Sequence, residues 1–307
     1  MDADAILPSG VTLLERGWLS SNNILLQDKN QSVLVDSGYC THAAQTLLLL
    51  EQHLGDQVLD QLINTHLHSD HCGGNAALQQ RYPSMTTRIP PGQSAHVVPW
   101  EAAALSYKTT GQECPPFCFN AVLEPGRELE LADVLWQVHA APGHDPHAVM
   151  LFEPRSRTLI SGDALWEKGF GVVFPELEGM SAFDQVGATL DVIQTLEPRI
   201  VIPGHGRAFA GVGASLTWAR KRLEGFASNP SKHAQYAAKV LLKFKLLEVQ
   251  RIRMDGMLGW CRSTPYLGLV QQRYFSEMAL EPWIETLILD LVRSGSATRD
   301  GGVVSNA

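Results

Sequence analysis

Along the first two-thirds of the chain, apolar residues fall in short alternating or continuous runs closed by Gly, Pro, Asp or Asn. Val11–Arg16, Asn23–Gln27 and Ser32–Asp36 read as strands, and His42 to Leu54 as a helix. Val58-Leu59-Asp60-Gln61-Leu62-Ile63 predicts a largely buried strand with Asn64 at its end, and a helix starts over Ala76–Gln80. A less regular stretch runs from Pro90 to Gly126. Strands recur at Leu135–Ala140, His147–Phe152, Thr158–Ser161 and Ile200–Ile202, with a helix over Ala182–Leu196 between the last two. There is no exact internal repeat, yet strands-then-helix occurs twice, so the pattern predicts an α/β chain of two paired halves.

From about Phe226 the pattern turns helical. Ser228-Asn229-Pro230-Ser231 reads as a helix stop and start, with Ser231 as the N-cap. Helices are predicted over Lys232–Gln250, Met254–Arg262, Tyr266–Phe275 and Glu281–Ser294, then a short hairpin around Asp300-Gly301. This divides the chain into residues 1–225, holding the candidate chemistry, and 226–307, a helical tail with the outline of a winged helix. Leu241, Phe244 and Leu247 of that tail must pack on something.

The chemistry concentrates in Thr65-His66-Leu67-His68-Ser69-Asp70-His71-Cys72-Gly73-Gly74-Asn75, where three of the eleven histidines fall within six residues. Imidazole nitrogen and carboxylate oxygen hold zinc or iron at neutral pH. His66 and His68, two apart in an extended segment, point the same way. After a tight turn, Asp70 and His71 can face a second point a few ångströms off, which suits two neighbouring metal ions. Further candidates follow strand-like runs beside turn-forming glycines: Pro142-Gly143-His144-Asp145-Pro146-His147, Ser161-Gly162-Asp163 and Pro203-Gly204-His205-Gly206. Val35-Asp36-Ser37-Gly38 has the same form ahead of the cluster.

With these residues the chain resembles the metallo-β-lactamase-fold hydrolases, and among them the glyoxalase II-like branch, from about residue 10 to about residue 225. The resemblance implies an αββα four-layer sandwich with the site at one edge. It places His66, His68 and His144 on one metal, Asp70, His71 and His205 on the other, and Asp163 between both. Asp36 and His147 would support the ligands from behind. The tail resembles the C-terminal domain of the lactamase-β-like members.

Composition narrows the setting. A net charge of −8 argues against a generally sticky surface for nucleic acid or anionic membrane. The charge is unevenly spread: ten Lys and Arg stand against seven Asp and Glu from Phe226 onward, and fourteen against twenty-five before it. Met1-Asp2-Ala3-Asp4 lacks the layout of a signal peptide, no apolar run approaches a membrane span, and five cysteines do not suggest a disulfide framework, so a reducing cytoplasm is expected. Cys72 is read as packing rather than a thiolate ligand, Cys114 and Cys118 as parts of a rigid loop near the site, and Cys40 and Cys261 as small apolar residues.

The expected function is hydrolysis of an ester, thioester or lactone of a small molecule. Two divalent ions roughly 3.5–4 Å apart would bridge a hydroxide, with zinc the first choice and iron or manganese compatible with the ligands. Asp70 would also handle the nucleophile's proton. Trp166, Phe170 and Phe174, with Trp100 and Tyr107, are candidates to grip the substrate. Quorum-signal lactonases of this fold carry tyrosine three residues beyond the bridging aspartate; here the residue is Trp166, which counts against lactonase activity. Lys239, Lys243 and Lys245 are candidates for holding glutathione carboxylates. Two alternatives stay open: a metal-dependent endoribonuclease, which would need a basic groove from the metals to the tail, and a persulfide dioxygenase working with a single iron. For the tail itself, a cap over the site or a homodimer interface is expected ahead of nucleic-acid binding.

Overall fold

A computed structural model describes residues 6–307; the N-terminal Met1–Asp4 reading lies outside the described residues. Six strands form the first sheet in sequence order: β1 (Val11–Leu14), β2 (Asn23–Gln27), β3 (Ser32–Val35), β4 (Gln61–Ile63), β5 (Thr86–Ile89) and β6 (Ala121–Val122). Five form the second: β7 (Glu128–Leu131), β8 (Val134–Ala140), β9 (Val149–Glu153), β10 (Thr158–Gly162) and β11 (Ile200–Pro203), in the order β11-β10-β9-β8-β7.

Strand alternation builds the layers. Ile24, Leu26, Val33, Val35 and Ile63 point inward and meet Trp136, Val138, Leu151, Ile160 and Ile202 from the facing sheet. Their neighbours Leu25, Leu34 and Leu62 point outward and are covered by Leu50 and Leu54 of the helix Ala43–Leu54 and Leu78 of Asn75–Arg81. On the other side Met150, Phe152, Leu159 and Val201 are covered by helices Phe183–Leu196 and Val212–Ala227. The result is the expected αββα sandwich. Leu25, Leu34 and Leu62 are fully buried, each contributing about 1.5–3 kcal/mol of transfer free energy.

Several elements differ from the pattern reading. β5, β6 and β7 went unpredicted: β6 and β7 are sheet edges and β5 lies next to one, and of β7 only Leu131 is buried. Val58–Asp60 precede β4 rather than belonging to it. The helix Val212–Ala227 crosses the boundary drawn at Phe226. The next helix, Pro230–Val249, is capped by the side chain of Asn229, which accepts from Lys232 N, and not by Ser231.

Helices Met254–Ser263, Pro265–Tyr274 and Leu280–Arg293 follow, along with β12 (Arg251–Arg253), β13 (Ala297–Asp300) and β14 (Val303–Asn306). The three strands pair in the order β12-β14-β13, and the hairpin turns on Gly301-Gly302. β12 was missed because Arg-Ile-Arg offers one apolar residue. The core of these elements takes in Val172 and Leu177 from the segment after β10, so the tail packs directly against the sandwich. Phe244 stacks edge-on against Tyr39 at 5.0 Å. No helix among the described residues is long and apolar enough to cross a membrane.

Candidate metal centre

All seven predicted ligands emerge from strand ends on one edge of the sandwich. β4 runs into His66, His68, Asp70 and His71, while β8, β10 and β11 are followed or ended by His144, Asp163 and His205. The donor atoms fall into three mutually close sets: His66 with His68 and His144; His66 with His71 and Asp163; and Asp70 with His71 and His205. Within each set they lie within 4.8 Å of one another. Asp163 stands between the groups. Its Oδ1 is 3.5 Å from His71 Nε2, and its Oδ2 is 3.5 Å from His144 Nε2 and 3.8 Å from His205 Nε2. Asp70 Oδ2 is 3.1 Å from His205 Nε2.

The hydrogen bonds behind these rings determine which nitrogens carry protons. Thr65 Oγ1 donates its one hydrogen to Asp36 Oδ2 (2.8 Å), so at 3.1 Å it accepts from His66 Nδ1–H. The same Asp36 oxygen accepts from His71 Nδ1–H at 2.8 Å, and Val172 O accepts from His144 Nδ1–H at 2.5 Å. In the neutral rings, the Nε2 lone pairs of His66, His71 and His144 therefore face the gap between the side chains. His66 Nε2 and His71 Nε2 are buried without a hydrogen-bond partner, a costly arrangement unless an electrophile completes it.

Charge makes the same point. Asp36, Asp145 and Asp163 are buried and Asp70 nearly so, yet among the described residues none of the four is ion-paired with Lys or Arg. Burial pulls the His71 imidazolium down, but Asp36, Asp163 and Asp70 outweigh it and hold its pKa well above the ordinary value. Burial likewise pushes the Asp163 carboxyl up, and His205, His71 and His144 more than reverse this. His66 is held well below its usual range, first by burial and then by the neighbouring imidazoles, and His68 falls to about 4 for the same first reason. A pocket of carboxylates drawing protons onto imidazole is short of positive charge, and a divalent cation among these donors would supply it. Backbone approach is correspondingly tight. A Cβ on Gly204 would collide with Asp163 Oδ1 and His71, and one on Gly171 with the His144 ring.

The supporting residues were partly legible. Asp36 does what its position suggested: at φ 59° it turns back to accept from both Thr65 N and His71. His147 does not. Its ring lies against Gly92, and its backbone N–H donates to Asp145 Oδ1 at 2.6 Å. The supporting group from that loop is Asp145, whose Oδ2 lies 3.7 Å from His68 Nε2. Asn22, also unpredicted, staples the His205 loop, its side chain donating to Pro203 O (2.9 Å) and Gly206 O (2.6 Å). Asp145 and Asn22 carry no motif of their own, and only their burial marks them.

The cavity over the donors is narrow, about 110 Å³, and is walled by Trp18, Trp166, Phe174, Tyr236 and Phe244. Trp18, which no motif flagged, stacks on His205 with centroids 5.3 Å apart. Trp166 Nε1 donates to Asp163 Oδ1 at 3.1 Å, so the indole braces the carboxylate. The other aromatic candidates are corrected. Phe170 is buried in the core with Phe226, and Trp100 and Tyr107 stack on each other beside Phe117, because these rings follow loops that fold inward. Lys243 is occupied by Ser296 O and Asn306 Oδ1, and Lys245 by Glu248. Cys72 is buried with its Sγ 3.8 Å from that of Cys114, outside the donor sets.

The family model described as the metallo-beta-lactamase superfamily matches residues 16–205. A hydroxyacylglutathione hydrolase of Nostoc sp. is 29% identical over 78% of this chain and 79% of its own length. One from Xanthomonas euvesicatoria is 29% identical over 49% of this chain, and there the chain spans about half of the relative's length (48%). Among solved structures, a metallo-beta-lactamase family protein from Thermus thermophilus superposes with a TM-score of 0.57 at 21% identity, over 98% of this chain and all of its own. The protein TTHA1623, solved in a di-iron-bound form, superposes over 68% of this chain and 98% of its own with a TM-score of 0.54 at 26% identity.

Proposed function

We propose that this chain, which belongs to the metallo-beta-lactamase superfamily, is a two-metal hydrolase of a small-molecule thioester or ester. The observation that carries the reading is the pair of donor groups flanking Asp163, with lone pairs directed inward and, among the described residues, no Lys or Arg paired with the carboxylates. His66, His68 and His144 would hold one ion, Asp70, His71 and His205 the other, and Asp163 both. Two donor groups also favour this over a single-iron dioxygenase. Zinc suits the imidazole-carboxylate set best.

When bound, such a pair supplies Lewis acidity toward a carbonyl and activates water at neutral pH. The protein's own groups do the rest. Asp36, Asp145, Thr65 and Val172 O fix ring orientation from behind. Trp18, Trp166 and Phe174 wall a cavity of a size to admit a slim acyl chain. Asp70, at its mouth, is placed to take a proton from the attacking water. In thioester hydrolysis the C–S bond breaks, a C–O bond forms from water, and that proton leaves with the thiolate. Residues 226–307 act in this reading as a unit that closes one wall of the cavity.

The test is a panel of thioesters, esters, a lactone and single-stranded RNA, run on protein of known metal content. Thioester or ester cleavage that chelation abolishes and zinc restores is expected, with near two metals per chain. Full activity in metal-free protein would overturn the reading.

A further inference from the structure

The narrow cavity over the metal donors does not end at its aromatic wall. Trp18, Trp166 and Tyr236 also line a wider recess of about 510 Å³ on the outer side, and that recess shares Lys168, Arg222, Tyr236 and Lys239 with another of about 600 Å³. The outer recess adds Lys221 and Lys232, with Trp218 on its wall. Among the described residues no carboxylate lines either recess, in a chain whose net charge is −8. Such a concentration of one sign in a concave site focuses an attractive field on anions.

Lys168, Lys221 and Lys232 are exposed and, among the described residues, form no ion pair; of the lining lysines and arginines, Lys239 alone has a described carboxylate near, Asp290 at 3.7 Å. Arg222 is held between rings, its guanidinium 4.4 Å from the Tyr236 centroid and 5.2 Å from that of Phe226. Its Nε is buried without a hydrogen-bond partner. The rings hold the guanidinium in place, and among the described residues no carboxylate pairs with it, so an anion in the recess would meet a positioned charge-assisted donor. The exposed ring of Trp218 beside the cations offers a stacking surface for a planar base.

We infer that the substrate's leaving group ends in a phosphorylated nucleotide: an acyl thioester passes its slim thiol arm between Trp18, Trp166 and Tyr236 while the nucleotide phosphates lie on Lys168, Lys221, Arg222 and Lys232. This deepens the thioester reading above and rests on it for the chemistry, though not for the binding. Size separates it from a nucleic-acid groove. Each recess has the volume of a single small-molecule site, and the cavity over the metal donors is several times smaller than either.

The test measures binding and turnover separately. Adenosine 3′,5′-bisphosphate, titrated calorimetrically into the metal-loaded protein, is expected to bind, more weakly as salt rises. The triple variant Lys168→Glu/Lys221→Glu/Lys232→Glu alters exposed side chains only, and is expected to weaken binding by about a hundredfold or more. Lys29→Glu, remote on an exposed turn, should leave it within about twofold. In turnover, kcat/KM for acetyl-coenzyme A should exceed that for S-acetylpantetheine by about tenfold or more at low salt, and the ratio should fall toward one in the triple variant. Absent bisphosphate binding, or equal kcat/KM for the two thioesters, overturns the inference. Binding that the triple variant abolishes, with neither thioester hydrolysed, upholds the nucleotide site and overturns the hydrolase reading. Tight binding and metal-dependent cutting of a single-stranded RNA through the same lysines overturns the inference in favour of a nucleic-acid substrate.

Discussion

His71 and His144 are oriented by different kinds of anchor. His71 leans on the Asp36 carboxylate at the end of β3, inside the first sheet and next to the strand that carries the histidine cluster. His144 leans on the carbonyl of Val172, in a loop with no sheet of its own, whose neighbour Val173 donates N–H to His233 Nε2 at 3.1 Å. Tyr266 and Tyr274 hold the short helix Phe174–Glu178 that follows, donating to Phe174 O (2.8 Å) and Glu176 O (3.2 Å). One anchor therefore sits in a sheet of the sandwich, and the other in a loop whose position is borrowed in part from the C-terminal helices. The second is the more easily disturbed, because it rests on single loop hydrogen bonds, such as Gly171 N–H to Asp163 O at 3.0 Å, and not on a sheet ladder.

The largest effect should come where both regions meet, at Asp163. Asp163→Asn keeps the shape and removes the charge between the donor groups. It should drop metal from near two per chain toward one and lower kcat by more than about a hundredfold, with the fold intact. Elemental analysis and circular dichroism on the same sample check this; two metals per chain in the variant would end the bridging assignment. Gly171→Ala attacks only the borrowed side. Its new methyl would meet the His144 ring, so metal affinity should fall by about ten- to a hundredfold with little change in melting temperature. Wild-type affinity in that variant would show the loop moves freely and the contrast is false.

How far this was legible from sequence follows the same division. The sandwich side announced itself, because ligands at strand ends sit beside the turns that expose them. The proposed ligands His66, His68, Asp70, His71 and Asp163 are of this kind, and Asp36, which supports them, shares the form. The borrowed side did not. Val172 acts through its carbonyl, which any residue possesses, and His233 stands in a helix where nothing separates it from an ordinary core histidine. Trp18 was missed for a similar reason: a tryptophan between strands has no spacing to mark it, and only the folded loop lays it on His205. Phe170 shows the converse, since proximity to Asp163 in sequence suggested the substrate, while the chain turns that ring into the core.

Acid should loosen the borrowed anchor. Burial, and secondarily Arg222, hold His233 at about 4, against about 6.5 in an unfolded chain. Between those values the unfolded chain binds the extra proton, so this group's stabilisation is complete above about pH 6.5 and is lost as pH falls toward 4. The swing is at most about 3 kcal/mol. His233→Phe removes the titration along with the acceptor for Val173 N–H. It should be less stable at pH 7 by about 1–3 kcal/mol, yet show a flatter dependence between pH 4 and 6.5. Urea midpoints across that range provide the measurement, and parallel curves for the two proteins would dismiss His233 as the titrating group.

The smallest expected effect separates two residues of a single turn. Asp145 approaches His68 Nε2 at 3.7 Å and also accepts from His147 N. Asp145→Asn retains an oxygen for that backbone N–H, so the turn survives while His68 loses the charge behind it. A carboxylate placed behind a ligating imidazole raises its basicity, and its loss should cost about tenfold in metal affinity, the lower end for such partners because 3.7 Å is beyond hydrogen-bond reach. His147→Ala leaves the Asp145 contact in place, since that contact uses only the backbone of residue 147. It should change metal affinity by less than about twofold, because no ring nitrogen of His147 bonds to a donor residue. Competition with a chromophoric chelator resolves differences of this size. If His147→Ala proved the more damaging of the two, the support for His68 would come from the imidazole after all, and the placement of Asp145 behind the site would be wrong.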